Sequence, residues 1–320
     1  MLMRLPLTLV SPSGPRGRLS ILIFHRVLAQ PDPLFPDLPD ALVFEQRMRW
    51  VRDWFNVLPL SEAIERLFAG TIPARALAIT FDDGYADNEE LAAPILQRLG
   101  LSATFFVATG FLSGGCMWND RVIEAIRSCD AHELDLGPLS LARYDLVSVA
   151  ARRQAIDAVL TAIKHVEPAR REALTEAIAE RAGARPAPRL MMSPAQVRAL
   201  RARGMEIGGH TQSHPILTRL SAADARAEIG GNKETLEHLL GEALQMFAYP
   251  NGVPGQDYAA EHASIARECG YSAAMSTAWG AASMRSDRFQ LPRFTPWDRS
   301  RLRYGARLIG NYQRVERIAA

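Results

Sequence analysis

The chain has 320 residues, 48% of them hydrophobic and 22% charged, with a formal net charge of +2. That length can bury a large core, as one barrel or two small domains. The near-balanced charge, with no basic patch interleaved with aromatics, gives no case for a nucleic-acid partner. Three cysteines (Cys116, Cys129, Cys269) are too few, and odd in number, for a disulfide framework. No run reaches the ~20 apolar residues of a membrane span. The apolar run Leu5 to Val10 is short for a signal-peptide core and is broken by Pro6. These features predict a cytoplasmic protein, with peripheral membrane association and export left open.

Residues 1–18, rich in Pro, Gly and Arg, read as a flexible tail. Ser20 to Phe24 is a continuous apolar run, hence a buried strand, and His25-Arg26 stand at its end. A surface loop rich in Pro and Asp follows over residues 30–40. Phe44, Met48, Val51 and Trp54 have helical spacing, and Val57-Leu58 reads as a strand. Ser61 is the expected cap of a helix running to Phe68. Then come the strand Leu77 to Phe81, a helix from about Asn88 to Leu99, and the strand Ala103 to Val107. The pattern changes over 113–190, where three helical periodicities predict an insertion, with Arg185 to Pro188 as a linker. Alternation resumes with a helix opened by Ser193-Pro194, a strand ending at Gly208-Gly209, and a helix from Ser221 to Leu240. A strand at Gln245 to Tyr249, a helix ending near Gly270, and short strands at Ala273 to Met275 and Phe289 to Leu291 complete it. Residues 297–320 read as a basic helix or tail with a solvated face. About seven strand–helix repeats imply an α/β fold, a parallel barrel over 19–296 carrying the 113–190 insertion.

Two stretches carry the chemistry. The strand Leu77 to Phe81 runs into Asp82-Asp83-Gly84, and the Met205 to Gly209 run into His210-Thr211-Gln212-Ser213-His214-Pro215. A strand buried on both faces cannot hold two carboxylates inside, so the pair belongs at its exit, where parallel α/β folds place their sites. One Asp with two His makes a facial ligand set for zinc or a similar divalent ion, with positions left open for water and substrate. Asp-Asp-Gly alone is about as often simply a turn, and His at i and i+4 can share one helix face. Gly208-Gly209 before the histidines and Pro215 after them favour an irregular loop instead.

Thr80-Phe81-Asp82-Asp83-Gly84 and His210-Thr211-Gln212-Ser213-His214-Pro215 resemble the first two motifs of the polysaccharide deacetylases, carbohydrate esterase family 4. The resemblance implies a distorted (β/α) barrel of about seven strands and a metal-dependent hydrolase that removes acetyl groups from N-acetylated sugars of a glycan or its precursor. It implies Asp83, His210 and His214 as ligands of zinc (cobalt, nickel or manganese also fitting) and Asp82 as general base, with Thr211 and Ser213 holding the histidine loop. Phe247 to Gly252 occupies the place of the third motif, Arg-x-Pro-Tyr, but has Ala248 for the Arg and Asn251 for the Tyr. Pro250 and Asn251 still offer backbone there, and a backbone N–H can serve an oxyanion without a particular side chain.

Leu291-Pro292-Arg293 resembles the family's last motif, Leu-x-His, with Arg in place of His. Ile23-Phe24-His25-Arg26 resembles the amino-terminal His motif of the poly-N-acetylglucosamine deacetylase branch. In a closed barrel the first and last strands are neighbours. His25 and Arg293 are therefore expected to have exchanged places, His25 as general acid and Arg293 pairing with Asp82. Leu291 and Trp118 are expected to line the substrate site, although burial of Trp118 under the insertion is an equal alternative. Two rivals remain from sequence: an amidase acting on a non-sugar C–N bond, and a degenerate barrel that binds glycan without catalysis.

Overall fold

The computed structural model describes residues 3–113, 115–185, 189–314 and 317–319. The chain forms two compact units. One comprises Met1–Gln30, Pro39–Leu112 and Met192–Ala320, the other Pro31–Leu38 and Ser113–Met191.

In the first unit the strands β1 (Leu19–Phe24), β2 (Asn56–Val57), β3 (Ala76–Phe81) and β4 (Thr104–Val107) enter one parallel sheet. The second unit contains the hairpin β5 (Glu133–Asp135) and β6 (Arg143–Asp145), after which β7 (Glu206–Gly209), β8 (Met246–Ala248) and β9 (Ala273–Met275) complete the sheet of the first. Its order is β1-β3-β4-β7-β8-β9, with β2 attached to β3. Consecutive parallel strands need crossovers, and helices supply most of them. The open edges of β9 and β1 are joined by the segment around Leu291 to Phe294: Leu291 bridges Met275 and Phe294 bridges Leu22. The sheet is thus a curled (β/α) half-barrel closed by single bridges.

Strand residues alternate between two apolar layers, as the period of two requires. Leu22, Ile79, Phe105 and Ile207 pack outward under the helices. Ile21, Ala78, Phe106, Ala248 and Leu291 fill the interior with the helix Leu60–Phe68. Asp82 continues the inward set of Ala76, Ala78 and Thr80, which aims its carboxylate into the mouth of the barrel.

Several local expectations change. Residues 4–10, expected in a flexible tail, form a helix with Leu7 fully buried. The basic C-terminal segment forms the helix Arg301–Asn311, which buries Tyr304 and Leu308; Arg301 and Arg303 are exposed and Arg307 is half-buried. Ser61 does not cap its helix. The carboxylate of Glu206, on β7, takes the Leu60 and Ser61 N–H groups at 2.8 and 3.3 Å, and also the Thr104 hydroxyl at 2.7 Å. A distant carboxylate at a helix N-terminus satisfies the orphan donors as a local cap would. Phe289 to Leu291 is not a strand but contributes the single bridge at Leu291. Of the linker expected at 185–188, residues 186–188 lie outside the described residues.

Among the described residues the second unit has three α-helices, Trp118–Ser128, Val149–Ile163 and Pro168–Arg181, around a core of Val122, Ile126, Ile156, Val159 and Ile178. Its β5–β6 hairpin has no counterpart in the sequence reading because each strand has only three residues. Among the described residues no helix is long and apolar enough to cross a membrane, and no disulfide joins the cysteines.

Candidate active site

Asp82 and Asp83 leave the C-terminal end of β3, and the Asp82 N–H still donates to the Phe24 carbonyl, so the ladder with β1 runs one residue past the strand. Phe24 pairs with Phe81 in register, which sets His25 beside Asp82 at the two strand exits. At Asp83 the backbone turns to φ +74°, and Gly84 follows at +90°. Six described non-glycine residues have φ in the left-handed region, and four of them are Asp83, Thr211, His214 and Asn251. Such conformations cost roughly 1–3 kcal/mol each and persist only where the surroundings impose them. Here they gather at one end of the barrel.

The Arg293 guanidinium, fully buried, grips Asp82 through two parallel bonds: Nη1 to Oδ1 at 2.6 Å and Nη2 to Oδ2 at 2.7 Å. Its Nε donates to the Ser276 carbonyl at 2.9 Å, and the group lies 5.5 Å above the Phe106 ring. Burial pushes the Asp82 carboxyl up, but the charge of Arg293, then that of His210, reverses this and leaves it below its ordinary value. His25 is exposed, and its imidazole is near enough to both carboxylates to contribute in the same direction.

His210 donates from Nδ1 to the Ala248 carbonyl at 2.7 Å. That bond fixes the tautomer, so in the neutral ring Nε2 presents a lone pair. Nε2 faces Asp83 Oδ1 at 3.4 Å, and His214 Nε2 faces the same oxygen at 3.3 Å. Asp83 Oδ1 is buried and makes no other contact of hydrogen-bond length among the described residues. The donor atoms of Asp83, His210 and His214 all lie within 4.8 Å of one another. One carboxylate oxygen and two imidazole nitrogens converging this closely can share a cation, so the residues present fit a divalent metal. Burial raises the Asp83 carboxyl, yet the two histidines beside it hold it well below the usual carboxylate range.

A polysaccharide deacetylase family profile matches residues 69–274, more than half of the chain. The chain belongs to the polysaccharide deacetylase family. Over 93 residues it is 33% identical to the putative polysaccharide deacetylase YxkH of Bacillus subtilis (strain 168), a stretch covering 28% of this chain and 32% of that protein, so the match spans about a third of the relative's length. Two solved structures share the fold at 19% identity. IcaB from Ammonifex degensii superposes with a TM-score of 0.59 over 93% of this chain and 98% of its own. The Streptococcus pyogenes deacetylase PplD, in complex with acetate, gives 0.58 over 87% and 92%.

Against the motifs of this deacetylase family, the third and last segments depart in a linked way. Ala248 has no guanidinium, but its carbonyl orients His210. Arg293, standing where the family motif has His, supplies the guanidinium to Asp82. Asn251, at φ +58°, has its carbonyl held by the Thr277 hydroxyl at 2.7 Å, and Pro250 before it is buried. Leu291, expected to line the substrate site, is fully buried in the interior layer and presents no surface. Trp118 opens the first helix of the second unit, half-buried, with the Arg171 guanidinium 4.8 Å over its ring.

Most of the supporting residues carry no sign in the sequence. Asn232, fully buried on the helix Ala222–Leu240, accepts the His210 N–H at 3.1 Å. Its Nδ2 donates to the Val107 carbonyl at 2.9 Å, to Thr109 Oγ1 at 3.1 Å and to the Thr211 carbonyl at 2.5 Å, so one amide ties β4 to the histidine loop. Glu228, one turn earlier, takes the Gln212 and Ser213 N–H groups at 2.8 and 2.9 Å. A polar residue such as Asn232 within a helical stretch gives no local signal of the loop that it ties down.

On the other side, Asp87 accepts from Arg26 Nε at 2.8 Å and from the Val27 N–H at 3.3 Å, while Asn88 Nδ2 donates to the His25 carbonyl at 2.8 Å. Burial pushes the Asp87 carboxyl up, with Arg26 opposing. In sequence Gly208 and Gly209 read only as loop formers, yet both are steric requirements. A Cβ on Gly208 would strike the Phe106 ring, and one on Gly209 would strike the Tyr271 hydroxyl.

Proposed function

We propose that this chain is a metal-dependent hydrolase that removes N-acetyl groups from sugars of a glycan or its precursor. The observation that carries the reading is the paired carboxylates. Asp82 is clamped by Arg293, while its neighbour Asp83 converges with His210 and His214. Two adjacent carboxylates are thereby given different work. Asp83, His210 and His214 would hold a zinc ion, with cobalt, nickel or manganese as substitutes. When bound, that ion supplies Lewis-acid polarisation of the acetamide carbonyl and acidifies a water.

The chain's own residues do the rest. Asp82, kept ionised by Arg293, takes a proton from the attacking water as its oxygen bonds to the carbonyl carbon. The Asn251 N–H serves as donor to the oxygen that gains charge. His25 then protonates the sugar nitrogen as the C–N bond breaks, leaving acetate and a free amine. The test is acetate release from N-acetylated chitooligosaccharides by the zinc-loaded protein, with and without chelator. Release that stops with chelator and returns with zinc is expected. Absence of release from every N-acetylated sugar, with zinc bound, would overturn the reading.

A further inference from the structure

Beside the third-motif loop lies a cavity of about 570 Å³ lined by Val253, Pro254, Thr277, Trp279, Arg314 and Arg317. Its wall is bonded to the proposed site. The Thr277 N–H donates to the Gly252 carbonyl at 2.8 Å, its hydroxyl to the Asn251 carbonyl at 2.7 Å, and the Ala278 carbonyl accepts the Arg293 N–H at 2.9 Å. Trp279 and Trp297 are 39% and 40% exposed, with ring centroids 5.4 Å apart, so both indoles keep exposed apolar surface beside the third-motif loop.

The arginines here differ in their partners. Arg307 lies 3.8 Å over Trp297 and is neutralised by Asp298. Arg314 stacks 4.4 Å over Trp279, and among the described residues no carboxylate pairs with Arg314 or with Arg317. A guanidinium stacked on an indole keeps its in-plane N–H groups available, in a fork that matches carboxylate or phosphate oxygens. A cavity of this size suits one sugar unit.

We propose that this cavity is a subsite for an anionic sugar unit, its carboxylate or phosphate held by Arg314 and Arg317 and its ring resting against Trp279, next to the N-acetylated unit being hydrolysed. This rests on the deacetylase reading and narrows its substrate to an acidic glycan.

The test compares kcat/KM of the zinc-loaded full chain on three tetrasaccharides: N-acetylated chitotetraose, the same with a 6-phosphate, and a hyaluronan tetrasaccharide carrying glucuronate. Preference for one or both anionic substrates is expected, and the two arms distinguish phosphate from carboxylate. In R314Q/R317Q the ratio of anionic to neutral kcat/KM should fall about tenfold or more, as for lost charged hydrogen bonds. R314K/R317K should recover part of it. No preference in the wild type, or a ratio unchanged in R314Q/R317Q, overturns the subsite. Should no tetrasaccharide release acetate, the deacetylase reading fails, and calorimetric titration of the hyaluronan and phosphorylated tetrasaccharides into wild type and R314Q/R317Q still decides the subsite. Binding lost in the variant supports it, and absence of wild-type binding overturns it. Binding only to anionic lipid vesicles would also overturn it, in favour of a membrane surface.

Discussion

Arg293 and Asp82, 211 residues apart in the chain, form a two-bond pair at 2.6 and 2.7 Å inside the mouth of the barrel. The guanidinium is fully buried, so solvent screens the pair little. Its consequence is the ionisation of Asp82. Burial alone would raise that carboxyl, and the cation brings it below its ordinary value. A base with a depressed pKa stays active as pH falls, until pH reaches that pKa. Arg293→Ala removes the cation and leaves the burial, so the acidic limb of the pH–rate profile should move upward. The loss of one partner of a buried pair also costs about 3–5 kcal/mol of stability, so thermal unfolding should be followed alongside. Arg293→Lys, which keeps the charge but not the fork, should shift the limb less.

Asp82 and Asp83 should separate in their dependence on metal. Asp82→Asn is expected to keep zinc while losing activity by about 10²–10⁴-fold, the usual cost of a missing general base. Asp83→Ala and His214→Ala should lose both. Metal content of the purified variants, set against acetate release, distinguishes the two carboxylates. A metal-free Asp82→Asn protein would reverse the division of roles.

His25 is exposed at the exit of β1, with its backbone tied to Asn88. His25→Ala should lower kcat by about 10²-fold or more, the scale of general-acid catalysis, with zinc content unchanged. Full turnover in that variant would place the proton donor elsewhere.

Asn232 supports the histidine loop without reaching the proposed metal atoms. Asn232→Leu strands the His210 N–H and the Val107 carbonyl, at about 1–3 kcal/mol for each buried group left unpaired, while the Thr211 carbonyl keeps the Thr109 N–H. A lower melting temperature is expected even in the metal-free protein. Zinc affinity should also fall by about 10–100-fold, as when groups that orient ligands are lost. Unfolding scans and a zinc titration read the two effects separately.

By itself the sequence determined where chemistry could lie. The apolar run Leu77 to Phe81 had to be a buried strand, so Asp82 and Asp83 had to sit at its end, and the same reasoning applied to Gly208-Gly209 and the histidines. Periodicity also marked the three helices of 113–190 as a separate element, because helical spacing is a local property. What sequence could not carry were relations between distant side chains. Glu206 replaces Ser61 as the helix cap, Pro31–Leu38 joins the second unit, and Asn232 and Glu228 hold the histidine loop. None of these leaves a periodic or motif signal, since each depends on strand order and on which residues a curled sheet brings together. The two-bond grip of Arg293 on Asp82 lies between these cases. Motif comparison suggested the pairing, but only closure of the barrel through Leu291 and Phe294 sets the guanidinium within reach of the carboxylate.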